Sequence, residues 1–195
     1  MHVFKHLRTI TKHHNRVMKY CFKCGLYKQG LFHDLSKLSP TEFWAGARFY
    51  LGTKSPHFAE RQKKGYSEGW MHHKGRNKHH SEYWIDFDLE TRLYTSVDMP
   101  NRYLAESVCD RLAATEIYNG KNAKPDGALN YFINEKDRIP MSPSTRERLK
   151  YLLEYYVYKG PKELFKFMKK NMRNDDTIIP MEEEFDEGIK DKGNI

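Results

Sequence analysis

Seven of the ten histidines in this chain fall in short clusters: His13-His14, His33 beside Asp34, and His72-His73 with His79-His80. Histidine is seldom used this densely for packing. Imidazole and carboxylate groups are the ordinary ligands of zinc, iron, manganese and nickel. Clusters so far apart along the chain can serve one site only if the fold gathers at least three distant segments around one point. That requirement constrains the architecture more than any bulk property does.

The bulk properties set the frame. A chain of 195 residues is expected to form one domain with a real core. No apolar run approaches the roughly 20 residues that a membrane span needs, so no membrane association is expected. The segment Met1-His2-Val3-Phe4-Lys5-His6 lacks a signal peptide's apolar stretch. Three cysteines, Cys21, Cys24 and Cys109, are too few and odd in number for a disulfide framework. A cytoplasmic, reducing environment is the expectation. The net charge of +8 is uneven. Residues 174–195 hold eight acidic residues and two lysines, which leaves 32 basic against 18 acidic residues, a net +14, on residues 1–173. A body that basic would attract phosphate-bearing ligands, nucleotides or nucleic acid, although lysines that simply solvate helix faces are the competing explanation. The sequence divides at that point into a helical domain, 1–173, and an acidic tail, 174–195, that either stays flexible or folds back on the basic body.

The pattern along the chain is helical, with no convincing strand alternation. Val3, Leu7, Ile10, Val17, Cys21 and Leu26 recur near helical spacing over residues 3–26. His13 falls three residues after Ile10 and four before Val17, on that same face. A second helix is expected to begin at Leu31 and run through Lys37. Ser39-Pro40-Thr41-Glu42 reads as a helix start with a serine cap, proline in the first turn and glutamate closing a capping box. Shorter helices are expected at His57–Lys64 and after Ser67, the latter carrying His72 and His73. Residues 85–98 read as irregular. Met99-Pro100 opens a strong helix to about Tyr118, and helices follow at 143–159 and 161–172 with Gly160-Pro161 between them. The fold class expected is all-α, a single-domain helical bundle.

Two features carry chemistry within that pattern. Adjacent residues on a helix point about 100° apart, so His33 and Asp34 do not serve one ion alike. The carboxylate instead suits a bridging role, since its two oxygens can bind separate ions. Asp110 shares an inward stripe with Tyr103, Ser107, Ala114 and Ile117, and a buried aspartate is costly unless paired or bound to metal.

At these residues the chain resembles the HD-domain superfamily of helical metal-dependent phosphohydrolases. His13-His14-Asn15-Arg16-Val17 resembles the first element of that family. Gly30-Leu31-Phe32-His33-Asp34-Leu35-Ser36-Lys37 resembles its central His-Asp element, and Asp110 its last ligand. Dinuclear branches insert further histidines between the second and last elements, where His72-His73 and His79-His80 stand here. The stretch from Ile10 to about Tyr118 is also similar to a bacterial and phage family of HD-like proteins. That family has a His-Asp-Leu-Ser-Lys core, a His-His…Asn-x-His-His block followed by Glu-Tyr-Trp, and a helix opened by Met-Pro.

The resemblance implies one or two divalent ions, of manganese, iron, zinc, nickel, cobalt or magnesium, held by His13, His33, Asp34, His73, His79, His80 and Asp110, with His72 next in line. It implies that two ions bridged by Asp34 activate a water for attack on a phosphate ester. Asp34, Lys37 and Glu82 are the catalytic candidates, and Lys37, Arg76, Asn77 and Lys78 the candidates for contacting substrate. Glu42, Glu82 and Glu106 could orient ligand imidazoles. The activity expected is hydrolysis of a nucleotide or another small phosphate ester. The alternatives are a dinuclear iron oxygenase of HD type, or a non-catalytic basic protein that binds phosphate or nucleic acid around a structural metal. Cys21-Phe22-Lys23-Cys24 is expected to pack in the core.

Overall fold

The structure, a computed structural model, describes residues 1–175 and 177–181. Its helices are α1 (Val3–Lys23), α2 (Tyr27–Phe32), α3 (Pro40–Arg48), α4 (Pro56–Lys64), α5 (Glu68–Lys74), α6 (Asn101–Asn119), α7 (Gly127–Glu135) and α8 (Pro143–Asn171). The only sheet among the described residues is an antiparallel pair, β1 (Ile85–Phe87) with β2 (Tyr94–Ser96), in which Asp86 faces Thr95. The architecture is all-α, and no helix is long and apolar enough to cross a membrane.

The helix α6 is the axis of the molecule. Nine of its 19 residues are buried, on more than one side, so it has no solvent-facing stripe of the usual kind. Leu104, Val108 and Leu112 of α6 pack with Val17 and Cys21 of α1, Phe132 of α7, and Leu149, Leu152 and Leu164 of α8. The inward face of α1 carries His6, His13, Val17, Tyr20 and Cys21 at helical spacing. Arg16 and Tyr20 of α1 both bond the Glu116 carboxylate of α6, which fixes the register of the two helices. The three cysteines are buried and unpaired, with Cys24 Sγ 3.9 Å from Cys109 Sγ, as core packing requires.

Helix α3 crosses α1 closely at Gly46. A Cβ built there would run into the imidazole of His6, which is itself buried and packed against Phe43 and Tyr50. Glycine inside a helix ordinarily costs about 1 kcal/mol relative to alanine. Here the contact reverses that preference. Gly46→Ala is expected to destabilise the protein by about 1–3 kcal/mol, as overpacking does, read as a lower midpoint in urea; a midpoint at or above wild type would show that His6 moves freely.

Several local expectations are corrected. The second helix does not start at Leu31. Instead α2 ends at Phe32, His33 leaves the helix with ψ 124°, and Asp34 takes the left-handed conformation at φ 54°. A 3₁₀ turn, Leu35–Leu38, follows. The capping box at α3 is only half formed. Ser39 Oγ accepts the Glu42 amide at 3.4 Å, but the Ser39 amide bonds Ser36 O, and the Glu42 carboxylate goes elsewhere. The β1–β2 hairpin and α7 lie where no regular element is expected from the sequence. The two helices expected at 143–159 and 161–172 are present as α8, broken at Gly160 with φ 82°. The start of the tail folds back: Asn101 Nδ2 donates to Thr177 O at 2.7 Å, Arg102 Nε to Asp175 Oδ2 at 2.6 Å, and Ile179 is buried. The acidic run from Glu182 lies outside the described residues.

Candidate metal centre

Four segments meet beside α6, and each is positioned by something local. His13 projects from the buried face of α1. His33 and Asp34 sit on the turn that ends α2, where the left-handed Asp34 swings its carboxylate away from the path a helix would give it. Aspartate is among the few residues that tolerate this conformation. His73 closes α5, whose N-terminus is capped by Ser67 Oγ accepting the Trp70 amide at 3.0 Å. His79 and His80 follow on the loop before Ser81, and Asp110 comes from the middle of α6.

These side chains form two ligand sets that share one residue. His13, His33, Asp34 and Asp110 make the first, and Asp34, His73, His79 and His80 make the second; within each set the ligand atoms lie within 4.8 Å of one another. The two oxygens of Asp34 face different sets. Oδ2 lies 3.2 Å from His33 Nε2 and 3.9 Å from His13 Nε2, whereas Oδ1 lies 3.3 Å from His73 Nε2 and 3.4 Å from His79 Nε2. His13 Nε2 is also 2.9 Å from Asp110 Oδ1. In the second set, His73 Nε2 and His80 Nε2 approach to 2.9 Å.

The chemistry of these atoms fits a metal. His13 Nε2, His33 Nε2, His79 Nε2 and both Asp34 oxygens are buried and make no hydrogen bond of good geometry. Buried polar atoms of this kind are rare, and here five converge, two of them beside a charged partner, His13 Nε2 at Asp110 and Asp34 Oδ2 at Lys37. The outward nitrogens of three of the imidazoles are, by contrast, held by carboxylates. Glu106 Oε1 accepts from His33 Nδ1 at 2.9 Å and His79 Nδ1 at 3.1 Å. Glu42 Oε2 accepts from His73 Nδ1 at 2.8 Å. A carboxylate on Nδ1–H fixes the tautomer that leaves a lone pair on Nε2, aimed inward, which is the usual support for a metal-bound histidine.

The same crowding couples acids to bases: against burial, Asp34, Asp110 and Glu106 push the His33 pKa well above its ordinary value, so an ion there would have to displace that proton. Burial opposes ionisation of Asp34, but His33, Lys37 and His73 outweigh it and hold its pKa well below the ordinary value. Burial likewise opposes ionisation of Asp110, and His13, His33 and His79 overcome it. Burial, with His79 and His73 nearby, keeps His80 well below its ordinary pKa and therefore neutral, as a ligand must be. Lys37 Nζ lies 2.5 Å from Asp34 Oδ2, and that carboxylate holds the lysine protonated against the effect of burial.

The other residues singled out in the sequence lie elsewhere. His72 is in neither set; its Nδ1 meets Glu42 Oε1 at 2.6 Å, so it shares the carboxylate that orients His73. Asn77 is buried and braces the loop, donating to Ser36 Oγ and His73 O, both at 2.8 Å. Arg76 is exposed and bonds His72 O, and Lys78 lies over the rings of Tyr83 and Tyr103. Glu82 belongs to neither set, and Ser81 Oγ is its hydrogen-bond donor at 3.4 Å.

Further residues brace the centre. Ser36 Oγ stands 3.3 Å from His73 Nδ1. His57 stacks on the His73 ring at 6.1 Å, and Trp70 lies across His73 and His80 at 5.6 and 4.8 Å. His14 Nδ1 donates to His33 O at 2.9 Å, tying α1 to the turn that bears both ligands. Of these, His57 stands outside every cluster and motif of the sequence, and only its placement marks it.

The profile of a family of unknown function, DUF5662, matches residues 2–155 of the chain. The chain belongs to that family. The DUF5662 match includes every member of both ligand sets and ends within α8, before the segment that folds back on Asn101 and Arg102. No curated protein and no solved structure matches the chain.

Proposed function

We propose that this DUF5662 chain is a metal-dependent phosphohydrolase with two ions, which cleaves a nucleotide or another small phosphate ester by attack of an activated water. The observation that carries the reading is the Asp34 carboxylate, whose two oxygens face separate ligand sets while Lys37 lies against one of them. Divalent ions held there supply Lewis acidity, which activates water and offsets charge on a phosphoryl oxygen.

The residues of the chain do the rest. The Lys37 ammonium is a mobile point charge placed to bind a phosphoryl oxygen beside Asp34. Glu106 and Glu42 keep three imidazoles in the correct tautomer. Burial of His33, His73 and His79 limits competing water, and the low local dielectric strengthens each charge contact. The motif order shared with HD-type enzymes supports the same reading by analogy.

A second reading is favoured by one detail. The set at Asp34 Oδ1 has three imidazoles, a donor group that suits iron or zinc better than magnesium. A dinuclear iron oxygenase is therefore the alternative. The test is to load the protein separately with manganese, magnesium, zinc and ferrous iron and assay a panel of nucleoside mono-, di- and triphosphates. Phosphate release with at least one metal, abolished by a chelator, is the expected result. Oxygen uptake by a coloured iron form, with no phosphate released under any metal, would give the site to oxygenation. No turnover of either kind would leave a binding protein.

A further inference from the structure

A cavity of about 330 Å³ opens on α1, the helix that carries His13, lined by Lys5, Arg8, Thr9, Lys12 and Tyr50. Positions 5, 8, 9 and 12 have the spacing that stacks side chains on one helix face. Like charges at these spacings repel and are mildly unfavourable, so three cations gathered here call for a reason. Some exposed cations elsewhere have a carboxylate partner, as Lys64 has Glu60, Arg102 has Asp175 and Lys150 has Glu154. Lys5, Arg8 and Lys12 have no carboxylate partner among the described residues. Between them, Thr9 Oγ1 donates to Lys5 O at 3.0 Å and lies 2.9 Å from Tyr50 Oη, which leaves the Tyr50 hydroxyl as the one able to turn to an anion.

The cavity shares a helix with one ligand, His13, which does not itself line it. Thr9 is one helical turn, about 5.4 Å, before His13, and Lys12 is its immediate neighbour. The ring of Tyr50 packs 6.2 Å from that of His6, a buried residue that also feels the charge of Lys37. Tyr118 is within electrostatic reach of Tyr50 and of Lys37, Asp34 and Asp110 together.

We propose that this cavity is a polyphosphate subsite, which takes the non-reacting phosphoryl groups of a nucleoside di- or triphosphate. The reacting phosphoryl group then lies at Asp34 and Lys37. This placement rests on the phosphohydrolase reading, but the anion-binding character of the cavity does not. Four residues on two turns of one helix suit a compact polyanion. A single-stranded nucleic acid needs a longer charged track with aromatic platforms.

The experiment is calorimetric titration of metal-free protein with inorganic tripolyphosphate, orthophosphate and a short single-stranded DNA. The full chain is compared with the Lys5→Ala, Arg8→Ala, Lys12→Ala triple variant, all three sites being exposed. Wild type is expected to bind tripolyphosphate more tightly than orthophosphate. The triple variant is expected to lose about tenfold or more of tripolyphosphate affinity, the order that several charge-assisted contacts supply. Unchanged tripolyphosphate binding in a folded triple variant would overturn the subsite. DNA bound more tightly than tripolyphosphate through the same three residues would overturn the choice of a small ligand. Because the readout is binding without metal, the subsite stands or falls apart from turnover. Absence of phosphate release from any ester would sink the hydrolase reading alone.

Discussion

Asp34→Ala is expected to lower the metal content of the purified protein by roughly tenfold or more, since ligand and support groups alike change affinity on that scale, and to abolish phosphate release. The reason is geometric. Of the two sets that meet at Asp34, each other ligand belongs to one and Asp34 to both, so its loss weakens both positions at once. A second effect follows in metal-free protein. Lys37 Nζ loses the carboxylate 2.5 Å away, and a largely buried charge left without its partner costs up to about 3–5 kcal/mol. Asp34→Asn keeps the shape and the left-handed tolerance while removing the charge, so it serves as the control for folding. Elemental analysis of the two variants beside wild type is the measurement. Equal metal in all three would remove Asp34 from the ligand sets, and a wild type that neither carries nor takes up metal would remove the metal centre altogether.

The next largest effect is expected at Glu106. One oxygen of this buried carboxylate accepts from both His33 Nδ1 and His79 Nδ1, and so serves one imidazole from each set. Glu106→Ala strands two buried N–H donors, each worth about 1–3 kcal/mol when left unpaired. It also frees both rings to turn. Metal affinity, measured by competition with a chelator, is expected to fall about 10–100-fold, with a smaller loss for Glu106→Gln, whose carbonyl oxygen can still accept. Similar falls at Glu42 would be confined to the set containing His73. If Glu106→Ala and wild type bind metal alike, the two histidines are held by packing rather than by the carboxylate.

Much of the candidate site was legible from residue order, because metal ligands are chemically distinctive and their identity survives ignorance of the fold. His13, His33, Asp34 and Asp110 could be placed in one set from the motif alone. The supports were less legible. Glu42 follows Ser39 by three residues, which is also the spacing of a capping box, and only the structure shows its carboxylate turned toward His72 and His73. The His33-Asp34 turn was hidden because nothing in Leu31–Lys37 breaks a helical pattern; tertiary demands on the two ligands outweigh local propensity. The hairpin of β1 and β2 escaped because three residues per strand are too few to show alternation. The helix α7 buries only Ala128 and Phe132, a pair too sparse to read as a stripe.

The left-handed backbone at Asp34 bears on which ions the centre would accept. The turn fixes the direction of the Asp34 Cβ, and His33, Lys37 and His73 lie against its carboxylate, so the group is in place before any ion arrives. Little freedom is then left to be lost on binding, and little room for the ring of donors to expand. Calcium favours larger, adaptable shells of oxygen donors, so a cage set this rigidly, with nitrogen as its main donor, discriminates by size and hardness. If the centre holds metal, the bend in the chain at one aspartate would then act as a filter for small transition ions.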